Sequence, residues 1–346
     1  MTKVAVLGAG SWGSALAAVL ANNGLETVVW ARNRQLADEI NSRHVNERYL
    51  PGVTLPAGIQ AVTRVEEALC KAKLVVVALP SAALADGVET LRGVADEAVV
   101  VHAVKGFVRP QNVRITSYIR ERVPTVADRL AVISGPSHAE EVVRQLPTTV
   151  VVASESRVIA EFVQDAFMND RFRVYTQADV IGVELGGALK NIIALGVGLV
   201  DGLALGDNTK AALMTRGLAE MTRLGVALGA SPLTFSGLAG VGDLIVTCTS
   251  EHSRNHRAGC LLAQGLSLDA TLQRIGMAVE GVGATFAASE LARTHGIEMP
   301  ITRAIEKVLL GELSPADGVG LLMRRGKNHE MEDIGGQPLT ALWVRP

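Results

Sequence analysis

The stretch "KVAVLGAGSWGSALAAVLANNG", Lys3 to Gly24, decides how the first half of this chain folds. A short β-branched strand, Val4 to Leu7, enters a glycine turn, and a helix-period segment from Ser14 to Asn23 follows and stops at Gly24. Gly8, Gly10 and Gly13 give GxGxxG between the two. In that setting the three glycines provide a tight turn, close approach of backbone to a pyrophosphate, and close packing of helix on strand. A pyrophosphate in that turn sits on the positive end of the helix. Glycines recur by chance in a chain holding 35 of them, so the flanking strand and helix are what make the motif a dinucleotide signature.

Working outward, "ETVVWARNR" reads as the second strand and ends where an NAD-binding fold carries an Asp or Glu for the ribose. This chain has Arg32, Asn33 and Arg34 instead. Two guanidiniums there accommodate the 2′-phosphate of NADP, and the same residues also suit a solvated loop. Further runs follow at crossover spacing: Leu74 to Pro80, Ala98 to Gly106, Leu130 to Ser137 and Thr148 to Ser154. They are valine-rich without alternation, as strands covered on both faces are, and predict a largely parallel, doubly wound α/β sheet. Ligands bind beyond the carboxyl ends of such strands. Pro80, Lys105 and the "SGPSHA" turn fall there, so Lys105 is placed for an anion or a carbonyl, or is an ordinary loop charge.

From about Asp179 the pattern turns to long helical periods, at Asp179 to Leu205, Thr209 to Leu228, Ala258 to Gln264, Ala284 to His295 and Ile301 to Leu309. The expected division is a nucleotide-binding domain over 1–180 and a helical substrate domain over 181–346. The first of these helices, "ELGGALKNIIALGVGLVDG", sets Lys190 in an apolar, glycine-rich run. Such a lysine either snorkels to water or is buried for a purpose, because an unpaired buried charge is unfavourable. Asp243 lies between apolar neighbours in "LAGVGDLIVTCTS" and needs a cationic partner. Ser253, Arg254 and Asn255, at a candidate helix start, suit a phosphate.

Composition narrows the classes. Of 346 residues, 48% are hydrophobic and 20% charged, with a formal net charge of −2, which argues against disorder and against a nucleic-acid surface. The basic cluster Arg324, Arg325 and Lys327 reads as a solvated face or helix end. No secretory signal is visible, so a cytoplasmic protein is expected, and the apolar stretch Ile192 to Leu205, broken by Asp201 and too short to cross a bilayer, reads as a core helix, so no membrane span is expected. Three cysteines, Cys70, Cys248 and Cys260, fit reduced thiols. Cys248, His252, His256 and Cys260 recur every four residues, but the helix joining the outer two would rise about 18 Å, too far for one ion. An adjacent pair could still share a metal, yet Ser253, Arg254 and Asn255 suggest a loop, and no metal is expected.

The motifs "GAGSWGSALA", "VKGF", "GPSHAEEV", "ELGGALKNIIALGVGLVDGLALGDNTKAAL", "GLAGVGDLIVTCTSEHSRN" and "AVEGV" resemble those of the bacterial NAD(P)-dependent sn-glycerol-3-phosphate dehydrogenases, from Lys3 to roughly Asp333. The resemblance implies a Rossmann-like domain followed by an all-α domain of the 6-phosphogluconate dehydrogenase C-terminal type. It also implies NAD or NADP as cofactor, reduction of dihydroxyacetone phosphate to sn-glycerol 3-phosphate for glycerophospholipid synthesis, and a homodimer. Ser11, Trp12, Arg32, Asn33, Ala139, Ala278 and Glu280 then match cofactor positions. Gly135 and Ser137 match substrate positions, Lys105 and Arg254 face both ligands, and Asp243, Ser253 and Asn255 touch substrate. Lys190 matches the catalytic lysine, which would protonate the developing alkoxide. Burial and a second cation, Lys105, would lower its pKa, whereas Asp243 would hold the ammonium and oppose that lowering. Two other readings remain at this point: a dehydrogenase of the 6-phosphogluconate type, whose carboxylate-binding motifs are not found, and a nicotinamide sensor, which has no need of a proton donor.

Overall fold

Among residues 2–326, which the computed structural model describes, ten strands form. They are β1 (Lys3–Leu7), β2 (Glu26–Trp30), β3 (Val45–Asn46), β4 (Leu50–Thr54), β5 (Ile59–Val62), β6 (Leu74–Val77), β7 (Val99–His102), β8 (Leu130–Ser134), β9 (Thr148–Ala153) and β10 (Phe172–Gln177). One eight-stranded sheet has the order β10-β9-β8-β7-β6-β1-β2-β5, and β3 pairs with β4 as a separate antiparallel hairpin. Neighbours in the large sheet run parallel except β8 and β9, which are antiparallel, so the sheet is mixed at one end. The strand order reverses at β1, where β2 pairs on one side and β6 on the other.

Both faces of this sheet are covered, and β1 shows how. Val4 and Val6 join a core that includes Leu16 and Leu20 of the helix Ser11–Asn22, while Ala5 and Leu7 join the opposite core with Leu84 and Val88. Alternate residues of a strand point to opposite faces, so a run with no polar member is what two cores require. Each valine fully withdrawn from water contributes on the order of 1.5–3 kcal/mol. β5 and β10 were not among the expected strands. In β10 only Phe172 and Val174 are buried, the alternation of an edge strand with one face toward solvent.

The described chain separates into two compact units between Glu184 and Leu185, a division that falls inside the helix Val180–Gly202. The second unit is helical: Asp207–Ala227, Pro232–Phe235, Asp243–Thr249, Arg254–Ala263, Leu268–Ile275, Glu280–His295, Pro300–Leu309 and Pro315–Met323 follow in order. The helix Arg254–Ala263 starts four residues before the apolar period suggests, because the Ser253 hydroxyl accepts the His256 N–H at 3.2 Å and caps it. Close packing in this unit depends on glycine. A Cβ on Gly198 would lie 2.0 Å from the His256 carbonyl oxygen.

The core-helix reading of the stretch from Ile192 holds, but the helix that carries it is longer than that stretch. At 23 residues the helix Val180–Gly202 is long and apolar enough to span a bilayer, as is the segment Pro232–Thr249. The most apolar window of the first is 94% buried within the protein, which makes it a core helix; that of the second is 44% buried. Lys327, Asp333 and the last dozen residues lie outside the described residues.

Candidate active site

The glycine turn follows β1 at the strand-order reversal, on the carboxyl edge of the sheet, where open α/β sheets bind ligands. Gly8 has φ +118°, a conformation that disfavours a side chain, and a Cβ there would lie 2.6 Å from the Ala78 carbonyl oxygen. On Gly13 a Cβ would come within 1.9 Å of the Gly8 carbonyl oxygen. Those two glycines are demanded by the chain itself. Gly10 is different, since a Cβ there would meet nothing within 4 Å. The open space lies at the start of the helix Ser11–Asn22, which has no acidic residue in its first turn and no side-chain cap at Gly10. Uncapped N–H groups, the positive helix end and vacant room beside them fit a dinucleotide pyrophosphate.

Around this turn, Ser11 donates to the Tyr49 carbonyl at 2.8 Å, and Trp12 packs on the core with its Nε1 buried and not hydrogen-bonded. Arg32 and Asn33 are exposed just past β2. The Asn33 side chain accepts the Leu36 N–H at 3.0 Å and caps the helix Arg34–Arg43, so it has a structural duty of its own. Further along the same edge, Lys105 Nζ donates to the Gly135 carbonyl at 3.0 Å and to Ser137 Oγ at 3.4 Å. Three residues expected in the site thus converge, with the buried Ala139 opening the short helix after them.

One cluster in this unit was missed. Glu184, one turn into the long helix, accepts the Thr116 N–H at 2.7 Å and the Arg114 guanidinium at 2.5 Å, and it lies 3.1 Å from His102 Nε2. Burial alone would raise its carboxyl pKa; the hydrogen bond and charge of His102, with Arg114 and the Thr116 N–H, outweigh that and hold it down at about 2. Sequence gives its apolar context but not these partners, which are remote along the chain.

In the helical unit, Lys190 and Asp243 are both buried. Lys190 Nζ lies 2.5 Å from Asp243 Oδ1 and 2.6 Å from Thr247 Oγ1, and the Thr247 hydroxyl donates to the Asp243 carbonyl at 2.6 Å. A π-helical turn, Leu238–Gly242, leads into Asp243 and marks an irregular segment of the kind found at functional sites. The snorkelling reading of Lys190 is therefore wrong: the ammonium is inside and paired. The carboxylate beside it favours the charged form and opposes the burial that would remove the proton. Next along the helix, Asn191 accepts from Asn255 at 2.9 Å, and Asn255 accepts the Gly281 N–H at 2.9 Å, bringing the "AVEGV" loop beside the lysine's neighbour. Ala278 is exposed there and Glu280 opens the next helix.

The expected phosphate cradle is only partly available. Ser253 caps its own helix and Asn255 is engaged with Asn191 and Gly281, which leaves Arg254, half-buried at the first helical position, as its principal cation. Cys248 is buried, which pushes its thiol up to about 12, with Lys190 opposing the rise and Asp243 adding to it. Among the described residues no group of three or more His, Cys, Asp or Glu is placed to hold a metal ion. His256 instead pairs with Asp201 at 2.7 Å.

Comparison with known proteins matches both units. The family profile described as NAD-dependent glycerol-3-phosphate dehydrogenase N-terminus covers residues 3–160, and its C-terminal counterpart covers residues 179–320. A glycerol-3-phosphate dehydrogenase (NAD(P)+) of Pelotomaculum thermopropionicum is 54% identical over 334 residues, 96% of each chain. One from Bacillus cereus is 52% identical over 336 residues, 96% of this chain and 99% of its own. Among solved structures, a glycerol-3-phosphate dehydrogenase from Coxiella burnetii superimposes with TM-score 0.89 at 37% identity, covering 94% of this chain and 99% of its own.

Proposed function

Because the chain belongs to the NAD-dependent glycerol-3-phosphate dehydrogenase family, we propose that it interconverts dihydroxyacetone phosphate and sn-glycerol 3-phosphate with Lys190 as proton donor and acceptor. It is an NAD(P)-dependent oxidoreductase, and the room at Gly10 fits that cofactor. When bound, that cofactor would supply or accept the hydride exchanged with the substrate. The residues of the chain do the rest.

Gly8, Gly10 and Gly13 shape the turn for the pyrophosphate, with Ser11 and Trp12 beside it and Arg32 and Asn33 at the adenosine end. Ala139, Arg254, Ala278 and Glu280 complete the cofactor contacts. The substrate contacts we propose are Lys105, Gly135 and Ser137 in the first unit and Asp243, Ser253, Arg254 and Asn255 in the second, with Arg254 as the cation for the phosphate. As negative charge grows on the C2 oxygen, the Lys190 ammonium stabilises it and passes over one proton. The amine left behind sits against the Asp243 carboxylate, which draws a proton back from solvent and resets the site. In the oxidation direction the neutral amine takes the hydroxyl proton.

The observation carrying this reading is the buried Lys190, Asp243 and Thr247 cluster, with Lys190 Nζ held at 2.5 and 2.6 Å. A cytoplasmic homodimer supplying glycerophospholipid synthesis is the setting we propose. The test adds dihydroxyacetone phosphate to protein and NADH or NADPH and follows the nicotinamide absorbance. Lys190→Ala should bind cofactor as the parent does and lose turnover by about a hundredfold or more. Near-normal turnover would reject the proton-transfer role.

A further inference from the structure

Asn46 is polar, sits on the two-stranded β3–β4 hairpin, and is fully buried. Its carboxamide uses both ends. Nδ2 donates to the Ala9 carbonyl at 3.0 Å and to Ser14 Oγ at 2.9 Å, and Oδ1 accepts the Tyr49 N–H at 3.3 Å. The same hairpin takes the Ser11 hydroxyl on the Tyr49 carbonyl at 2.8 Å. One buried side chain thus grips the glycine turn and the first turn of the helix behind it. A filler for this volume would be apolar; burying an amide with both donors and its oxygen engaged specifies an orientation.

What it orients follows from peptide geometry. The Ala9 carbonyl and the Gly10 N–H belong to one planar trans unit and point in opposite directions. Holding the carbonyl on the hairpin side turns the N–H to the other side. Gly10 is also the glycine whose missing Cβ leaves open room. We propose that Asn46 is a positioning residue for cofactor binding, locking the Ala9–Gly10 peptide so that the Gly10 N–H is aimed at the dinucleotide pyrophosphate. The proposal rests on the glycine turn being the pyrophosphate cradle, as set out above.

Asn46→Asp keeps the shape and the acceptor for Tyr49 but sets an oxygen against the Ala9 carbonyl; Asn46→Ala removes the grip without repulsion. In the full-length protein, NADH affinity is read from nucleotide fluorescence, and ADP-ribose and adenosine are compared as competing ligands. Asn46→Asp should weaken NADH and ADP-ribose about tenfold or more, and Asn46→Ala severalfold, with adenosine and the KM for dihydroxyacetone phosphate at saturating NADH changed less than about twofold. A merely structural loss would weaken adenosine as much as ADP-ribose, and that result overturns the proposal. Should Asn46→Asp not fold, Asn46→Ala carries the same comparison. Gly10→Val separates the two layers of reasoning: if it binds NADH like the parent, the cradle reading falls and this inference with it. If it abolishes binding while both Asn46 variants bind like the parent, only the Asn46 role falls.

Discussion

Asp243→Asn removes one charge from the buried pair and changes little else in shape. Lys190 Nζ lies 2.5 Å from Asp243 Oδ1, with side-chain exposures of 5% and 1%, so solvent cannot take over the lost interaction. Breaking one side of a buried ion pair costs about 3–5 kcal/mol. Asparagine retains an oxygen and Thr247 Oγ1 stays at 2.6 Å, which places this case near the lower end, at about 3 kcal/mol. A lysine so deprived can shed its proton, and at about 1.4 kcal/mol per pH unit the penalty corresponds to roughly two units. In the proposed mechanism reduction of the ketone uses the ammonium and oxidation of the alcohol the amine, so the alkaline limb of the reduction kcat profile should move about two units toward acid. The rising limb of the oxidation profile should move the same way by the same amount. Initial rates in both directions, from about pH 5 to 10 at fixed ionic strength, measure both limbs. Limbs that stay within about half a unit of the parent while turnover falls would show that Asp243 does not set the protonation of Lys190.

Other perturbations follow from the same geometry. Arg254→Ala should raise the KM for dihydroxyacetone phosphate about tenfold or more with kcat little altered; a loss confined to kcat would contradict phosphate binding. Glu184, whose carboxyl burial would raise but which the His102 hydrogen bond, the His102 and Arg114 charges and the Thr116 N–H hold at about 2, contributes stability above pH 4.5 that is lost as pH falls toward 2. Glu184→Gln should therefore lower the unfolding free energy at neutral pH by about 3 kcal/mol and flatten the acid limb, measured by urea unfolding; unchanged acid sensitivity would refute it. Glu220 is the opposite case: burial pushes its carboxyl up to about 7 despite hydrogen bonds from the Ile301 and Thr302 N–H groups and the Thr302 hydroxyl. Its contribution is full below pH 4.5 and is lost as pH rises through about 7, so Glu220→Gln should abolish a decline in urea midpoint across that window.

What could be read from the chain without coordinates depended on how local each signal was. Gly8 and Gly13 were legible because their spacing with Gly10 is local, between the strand Lys3–Leu7 and the helix Ser11–Asn22, although the Ala78 carbonyl that Gly8 makes room for is remote in sequence. The valine runs of β6, β7 and β9 were legible as strands, since burial on two faces demands unbroken apolar character whichever way a strand points. That symmetry is also why the antiparallel setting of β9 against β8 was invisible. β5 and β10 carry half of that signal, one buried face each, and fell below it.

The polar groups show the same limit from another side. Lys190 and Asp243 each stood out as a charge in apolar surroundings, a conflict that buried chemistry must resolve, and the resolution is each other across 53 residues. Glu184 stands in "GVELGG", an equally apolar setting, but near the start of its helix, where a carboxylate suits the positive end and raises no conflict. Asn46 stands in "HVNERY", where an amide among polar neighbours looks ordinary. The partners that make these two exceptional, the Thr116 N–H and the Ala9 carbonyl, lie 68 and 37 residues away, and such separations carry no periodicity. Sequence therefore exposes a buried polar group when nothing local excuses it and conceals it when a helix end or a polar neighbourhood does. Asn46 is the concealed kind, placed against the glycine turn whose Gly10 N–H we propose it aims.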